Sequence, residues 1–103
     1  MATEQTIFQY TLNLTTVTDV MVLVSGKHVY ANIAGNKPWQ LAIYIDGVLR
    51  NYAGGSGYGT DAPQVLAFLM QASAGSHTVR ITWFGHNSMQ LRGVNAIIQG
   101  LRR

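Results

Sequence analysis

Seven side chains in this sequence have the chemistry for acid–base or metal work: Glu4, Asp19, Asp46 and Asp61, with His28, His77 and His86. There is no cysteine, which excludes disulfides and thiolate metal sites. A carboxylate pair flanking a scissile bond needs two acids to spare, and Asp46 already has a role in a turn. The histidines are not spaced like metal ligands, and a metal site would need them to converge with a carboxylate. The glycine-rich stretch 54–61 invites comparison with a phosphate loop, but that motif requires a Gly-Lys-Ser/Thr opening a helix, and no lysine follows here. Serine, histidine and aspartate can be combined on paper, yet no Gly-x-Ser-x-Gly elbow is present. These residues predict no enzyme, no cofactor and no bound metal. Exposed loops carry binding residues more often than regular elements do, so Tyr58 and Asp61 in the loop, with Tyr52 beside it, are the candidate contacts for a ligand or partner.

Composition points towards contact rather than catalysis. Charged residues are 11% of the 103 and hydrophobic residues 48%, where soluble domains usually carry roughly 25% charge. Such a surface is poorly equipped for isolation in water, and an exposed apolar patch usually marks a contact site. The net charge of +3 comes from dispersed residues, with only Arg102 and Arg103 adjacent. A nucleic-acid binder would show a clustered basic stripe, so no nucleic-acid partner is expected. No run approaches the roughly 18 apolar residues of a membrane helix, and residues 1–5 have neither the basic head nor the apolar core of a signal peptide. The expectation is one domain over 1–103, a natural start, no membrane partner, and an N-terminal arm over residues 1–6.

The dominant period is two. Phe8, Tyr10, Leu12 and Leu14 alternate with polar residues, as in a half-buried strand. Val17 to Val24 is apolar at nearly every position and stops at Ser25-Gly26, a turn signal; His28 to Ala34 alternates again. Trp39, Leu41, Ile43 and Ile45 share a face and lead directly into Asp46-Gly47, a strong signal for a two-residue hairpin with positive φ at both turn positions. Ala62 to Gln71 reads as a strand. His77, Val79, Ile81 and Trp83 alternate, Met89 and Leu91 form a short strand, and Val94 to Leu101 closes the chain after Gly93. This spacing predicts an all-β fold, an antiparallel β-sandwich of jelly-roll type with eight or nine strands.

Two strands break the rule that a sandwich strand has one inner and one outer face. Val20 to Val24 and Val94 to Ile98 are apolar on both faces, as when both faces are covered. In a sandwich this small, the simplest outer cover is another subunit. Val20, Val22, Val24, Ile97 and Leu101 are therefore the candidate interface residues.

The stretch Ala74-Gly75-Ser76-His77-Thr78-Val79-Arg80-Ile81-Thr82-Trp83, with its closing strand, resembles the "aGxHtvxlxW" hairpin of jelly-roll modules in virion proteins of tailed bacteriophages. It is also similar to the trimeric C1q/TNF-like heads. The likeness spans residues 74–101. It implies a virion structural protein that forms homo-oligomers, most often trimers, assembled in the host cytoplasm. Of the roles open to such modules, a decoration or cement protein bridges major capsid protein subunits, and a tail or fibre head binds host glycans. The sequence shows no fibrous stalk or heptad repeat, which favours decoration, with the glycan-binding head as the alternative. The resemblance carries over no catalytic residue.

Overall fold

The Asp46-Gly47 pair forms the turn that the sequence predicts, with φ of 53° and 79°. Two positive φ values twist the chain the way flanking strands twist, which is why this dipeptide closes hairpins. The turn joins β3 (Lys37–Ile45) to β4 (Val48–Gly57). The computed structural model describes residues 4–30, 37–57, 62–85 and 89–101, and every element in it is a strand. The others are β1 (Gln5–Leu14), β2 (Thr18–Tyr30), β5 (Ala62–Ala72), β6 (Gly75–Gly85) and β7 (Met89–Leu101).

The strands make two antiparallel sheets, one ordered β1-β6-β3-β4 and the other β5-β2-β7. Around the central hairpin the pairing is nested: β3 with β4, β2 with β5, β1 with β6. This is a long hairpin rolled onto itself, as in a jelly roll, with β7 added beside β2. The all-β sandwich expected from the alternation is the fold.

Among the described residues seven strands replace the expected eight or nine, because two glycine signals mark a bulge instead of turns. Ser25 pairs with Asn95 and Lys27 with Arg92, so Gly26 alone opposes Gly93 and Val94. Gly93 has φ +60°, the left-handed conformation at which a glycine admits an extra residue to a strand. β2 therefore runs on past Ser25-Gly26, and Leu91 and Val94 belong to one strand. A Cβ on Gly93 would touch nothing, so Gly93→Ala has only the backbone penalty of a left-handed residue, about 1–2 kcal/mol. A urea midpoint lowered by that free energy divided by the slope, with the slope itself unchanged, is the expected result.

The glycine-rich stretch is likewise partly strand. Residues 54–57 belong to β4 and pair with residues 37–40. Gly54 lets the chains meet closely there, because a Cβ would lie 2.9 Å from the Trp39 carbonyl. At the other end, Gln5 and Thr6 are already in β1, so the expected arm 1–6 overlaps the first strand.

The core comes from the middle strand of the small sheet and the middle pair of the large one. Val20, Val22 and Val24 meet Leu41, Ile43, Ile45, Val79, Ile81 and Trp83, all buried. Each such side chain contributes about 1.5–3 kcal/mol relative to exposure. Trp39 packs against this cluster and stacks on Trp83 with ring centroids 6.1 Å apart, as the inward alternation of both tryptophans predicts.

Four strands over three leave the two lateral sides of the sandwich unlike. At the β4/β5 side, the Asn51 side-chain amide donates to the Ala67 carbonyl at 2.6 Å and ties the sheets together. At the β1/β7 side the inner face of β1 is only partly covered. Leu12 and Leu14 pack on the core, but Phe8 and Tyr10 remain 38% and 55% exposed.

Candidate functional site

Of the residues with acid–base chemistry, His77 and Asp46 meet at one end of the sandwich. His77 begins the buried alternation of β6, and Asp46 sits in the β3–β4 turn. His77 Nδ1 donates to Asp46 Oδ2 at 2.7 Å, and His77 Nε2 donates to the Ser73 carbonyl at 2.8 Å. The Thr78 amide donates to Asp46 Oδ1 at 2.9 Å, and the Asp46 amide donates back to the Thr78 carbonyl at 2.9 Å. Ser73, His77 and Asp46 thus stand in the order of a catalytic triad. A triad histidine, however, must accept the serine proton on Nε2. Here that nitrogen points its proton at a carbonyl, and the Ser73 hydroxyl lies 3.5 Å away. With both ring nitrogens donating, His77 is an imidazolium clamp joining the β3–β4 turn to the chain before β6.

The clamp has a pH window. The hydrogen bonds to Asp46 and to the Ser73 carbonyl raise His77 above its ordinary 6.5. The bonds from His77 and the Thr78 amide lower Asp46 below its ordinary 3.8. A raised histidine gives stability that is complete below pH 6.5 and is lost as pH rises through the folded value. A lowered aspartate gives stability that is complete above pH 3.8 and is lost as pH falls through its folded value. The clamp is therefore whole between those two pH values. Asp46 is 46% exposed and His77 13%, so solvent screening holds the gain to about 0.5–1 kcal/mol. Thermal midpoints measured against pH should fall on the alkaline side in the wild type, and His77→Gln should flatten that limb.

Among the described residues no group of three histidine, cysteine, aspartate or glutamate side chains could hold a metal ion. Glu4 caps the outer face of the large sheet. Its Oε2 accepts from the Tyr44 hydroxyl at 3.2 Å and from the Thr82 hydroxyl at 3.1 Å. Arg80 lies over the Tyr44 ring at 4.6 Å. Burial, with the neighbouring Glu4 carboxylate, pushes the Tyr44 phenol above its ordinary value.

The candidate interface residues divide. Val20, Val22 and Val24 point between the sheets and are buried, which corrects their assignment as contact residues: the pleat turns the even positions of β2 inward. The outer side of β2 shows Met21 and Leu23 instead. Register places Met21 between Leu69 and Gln99, and Leu23 between Ala67 and Ile97. Ile97 is 50% exposed on that outer face, and Leu101 lies at the end of the same face beside Asp19. Val65 and Leu69, exposed at 67% and 62%, extend the apolar surface across β5. Over positions 19–25, 65–71 and 95–101 the outward residues include one charge, Asp19, at one end. Val65 and Leu69 carry no signal of their own in the sequence, because β5 shows no alternation; only register assigns them to a face.

Of the loop candidates, Tyr52 stands on the outer face of the large sheet at 59% exposure, beside the buried Ala42. Tyr58 and Asp61 lie outside the described residues. No protein-family model matches the chain, and no curated protein matches it.

Proposed function

We propose that this chain is a structural protein, a self-associating β-sandwich that decorates a virion shell and stabilises it by bridging subunits of the major capsid protein. The observation that carries the reading is the apolar stretch of the small sheet's outer face, with Met21, Leu23, Val65, Leu69 and Ile97 clustered and charge kept to its two ends, Asp19 at one and Arg92 beyond the bulge at the other. A face of this kind on a chain with 11% charged residues is suited to burial against another protein surface. The shell itself enters through the likeness of residues 74–101 to phage jelly-roll hairpins, which also favours three copies. The mechanism is mass action: a protein that binds assembled shells and not their separated subunits stabilises the assembled state. No catalytic residue or cofactor takes part.

Light scattering and sedimentation with capsids test this. The expected result is a homo-oligomer in solution that binds assembled shells saturably. A monomer at every concentration that ignores the shells overturns the proposal. A glycan-binding head is the second reading, favoured by the exposed ring of Tyr52 on a surface separate from the apolar face. Glycan-array signals that disappear in Tyr52→Ala would support it, and a blank array would exclude it.

A further inference from the structure

The two lateral sides of the sandwich differ in a way that the apolar sheet face does not account for. Sheet edges offer unpaired backbone groups to any passing strand, and proteins commonly guard them with charge or proline. β4 carries Arg50 and β5 carries Pro63, and the Asn51–Ala67 bond joins these two edges. On the opposite side such devices stand only near strand ends, in the β1 register shift between Thr6 and Phe8 and in Arg92 with the Gly93 bulge of β7. β1 (Gln5–Leu14) and residues 94–101 of β7 contain neither a charged residue nor a proline, and each is the outermost strand of its sheet. Between them runs an open groove of about 390 Å³ lined by Phe8, Gln9, Tyr10, Ala96 and Ile98.

The groove exists because the small sheet has one strand fewer. Phe8 pairs with Ile81 and Tyr10 with Val79, so both face inward like those buried partners. Ala96 and Ile98 are opposite Val24 and Val22 and share their inner face. Among the described residues no fourth strand of the small sheet lies beside β7 to cover the two aromatic rings.

We propose that this open side is a strand-pairing interface at which two copies of the chain join edge to edge. An antiparallel edge is its own complement: a twofold axis lays β7 beside β7 of the second copy with donors facing acceptors. The same axis brings the exposed rings of Phe8 and Tyr10 against the second copy. An uncharged groove selects against charged partners, and a chain of net charge +3 pairs with itself most readily where no charge is present. The dimensions suffice. Eight paired residues span about 27 Å, and the smallest dimension of the molecule is 17 Å. The pair would cover roughly 900 Å² of flat area, close to the roughly 1,000 Å² that a specific interface clears.

This inference rests on the self-association reading and adds a second contact to it. Tyr10 is more than half exposed, so Tyr10→Lys keeps the fold while placing a cation in the groove. Sedimentation equilibrium of the wild type, Tyr10→Lys and Ile97→Lys separates the two contacts. Tyr10→Lys is expected to weaken one association step by roughly tenfold or more, with an unchanged circular dichroism spectrum. In the wild type, amide exchange over residues 94–101 should slow as concentration rises. A wild-type oligomer dissolved by Ile97→Lys, unaffected by Tyr10→Lys and without concentration-dependent protection of 94–101 overturns the edge interface alone. A wild type that is monomeric throughout overturns both. Protection that appears only when a foreign extended peptide is added overturns the second copy as occupant.

Discussion

Replacing Val22 by lysine is expected to leave no folded protein. Val22 is fully buried, between Phe68 on β5 and Ile98 on β7, and faces a core made wholly of apolar side chains. No acid in that cluster could pair with the new ammonium. An unpaired buried charge costs several kcal/mol even after relaxation, and the longer side chain overpacks the site by about 1–3 kcal/mol more. Native domains have only about 5–15 kcal/mol in hand. Loss of the sheet signal in circular dichroism, or insoluble expression, would be the observed outcome. A soluble, folded Val22→Lys would mean that β2 sits one residue out of register, since such a slip exchanges its two faces.

The same substitution at Ile97 is expected to act on assembly and spare the fold. Ile97 is half exposed, beside Leu23 on the outer face. Surface substitutions usually change stability by less than about 0.5 kcal/mol, so the melting temperature should hold. In an oligomer buried through this face, each copy would bring a desolvated, unpaired ammonium, weakening association by roughly a hundredfold or more. Light scattering should read a smaller mass for Ile97→Lys than for the wild type, and binding to shells should fall with it. An unchanged mass would remove the apolar face from the assembly and with it the observation that carries the proposed function.

These two positions show what could be read in advance. Alternation revealed the sandwich, the Asp46-Gly47 turn and the inward tryptophans, because each is local. Which side of β2 faces the core was not legible, since Val20 to Val24 are apolar at every position and only pairing with β5 and β7 settles the phase. The expected strand count exceeds the observed one where Gly26 and Gly93 lie opposite one another: a glycine such as Gly93, with positive φ, looks the same in sequence whether it reverses the chain or bulges it. The His77 clamp joins positions 31 residues apart. Both halves were visible, the aspartate in a hairpin turn and the histidine opening a strand, but their meeting depends on β6 lying beside β3.

The nested pairing has a further consequence, for the order in which the chain finds its shape. Closing a loop costs entropy that grows with the length closed. The β3–β4 hairpin closes two residues and is the least expensive pair to form. Joined by itself, His28 to Ala62 on β2 and β5 would enclose a long segment, but with the hairpin already made much of that segment is spanned. Leu14 and Gly75 on β1 and β6 profit in turn. The rolled ribbon thus zips outward from its centre, each pair shortening the search for the next. β7 stands outside the nest and can dock only on a β2 already in place, so the last edge to form is one of the two that border the open groove.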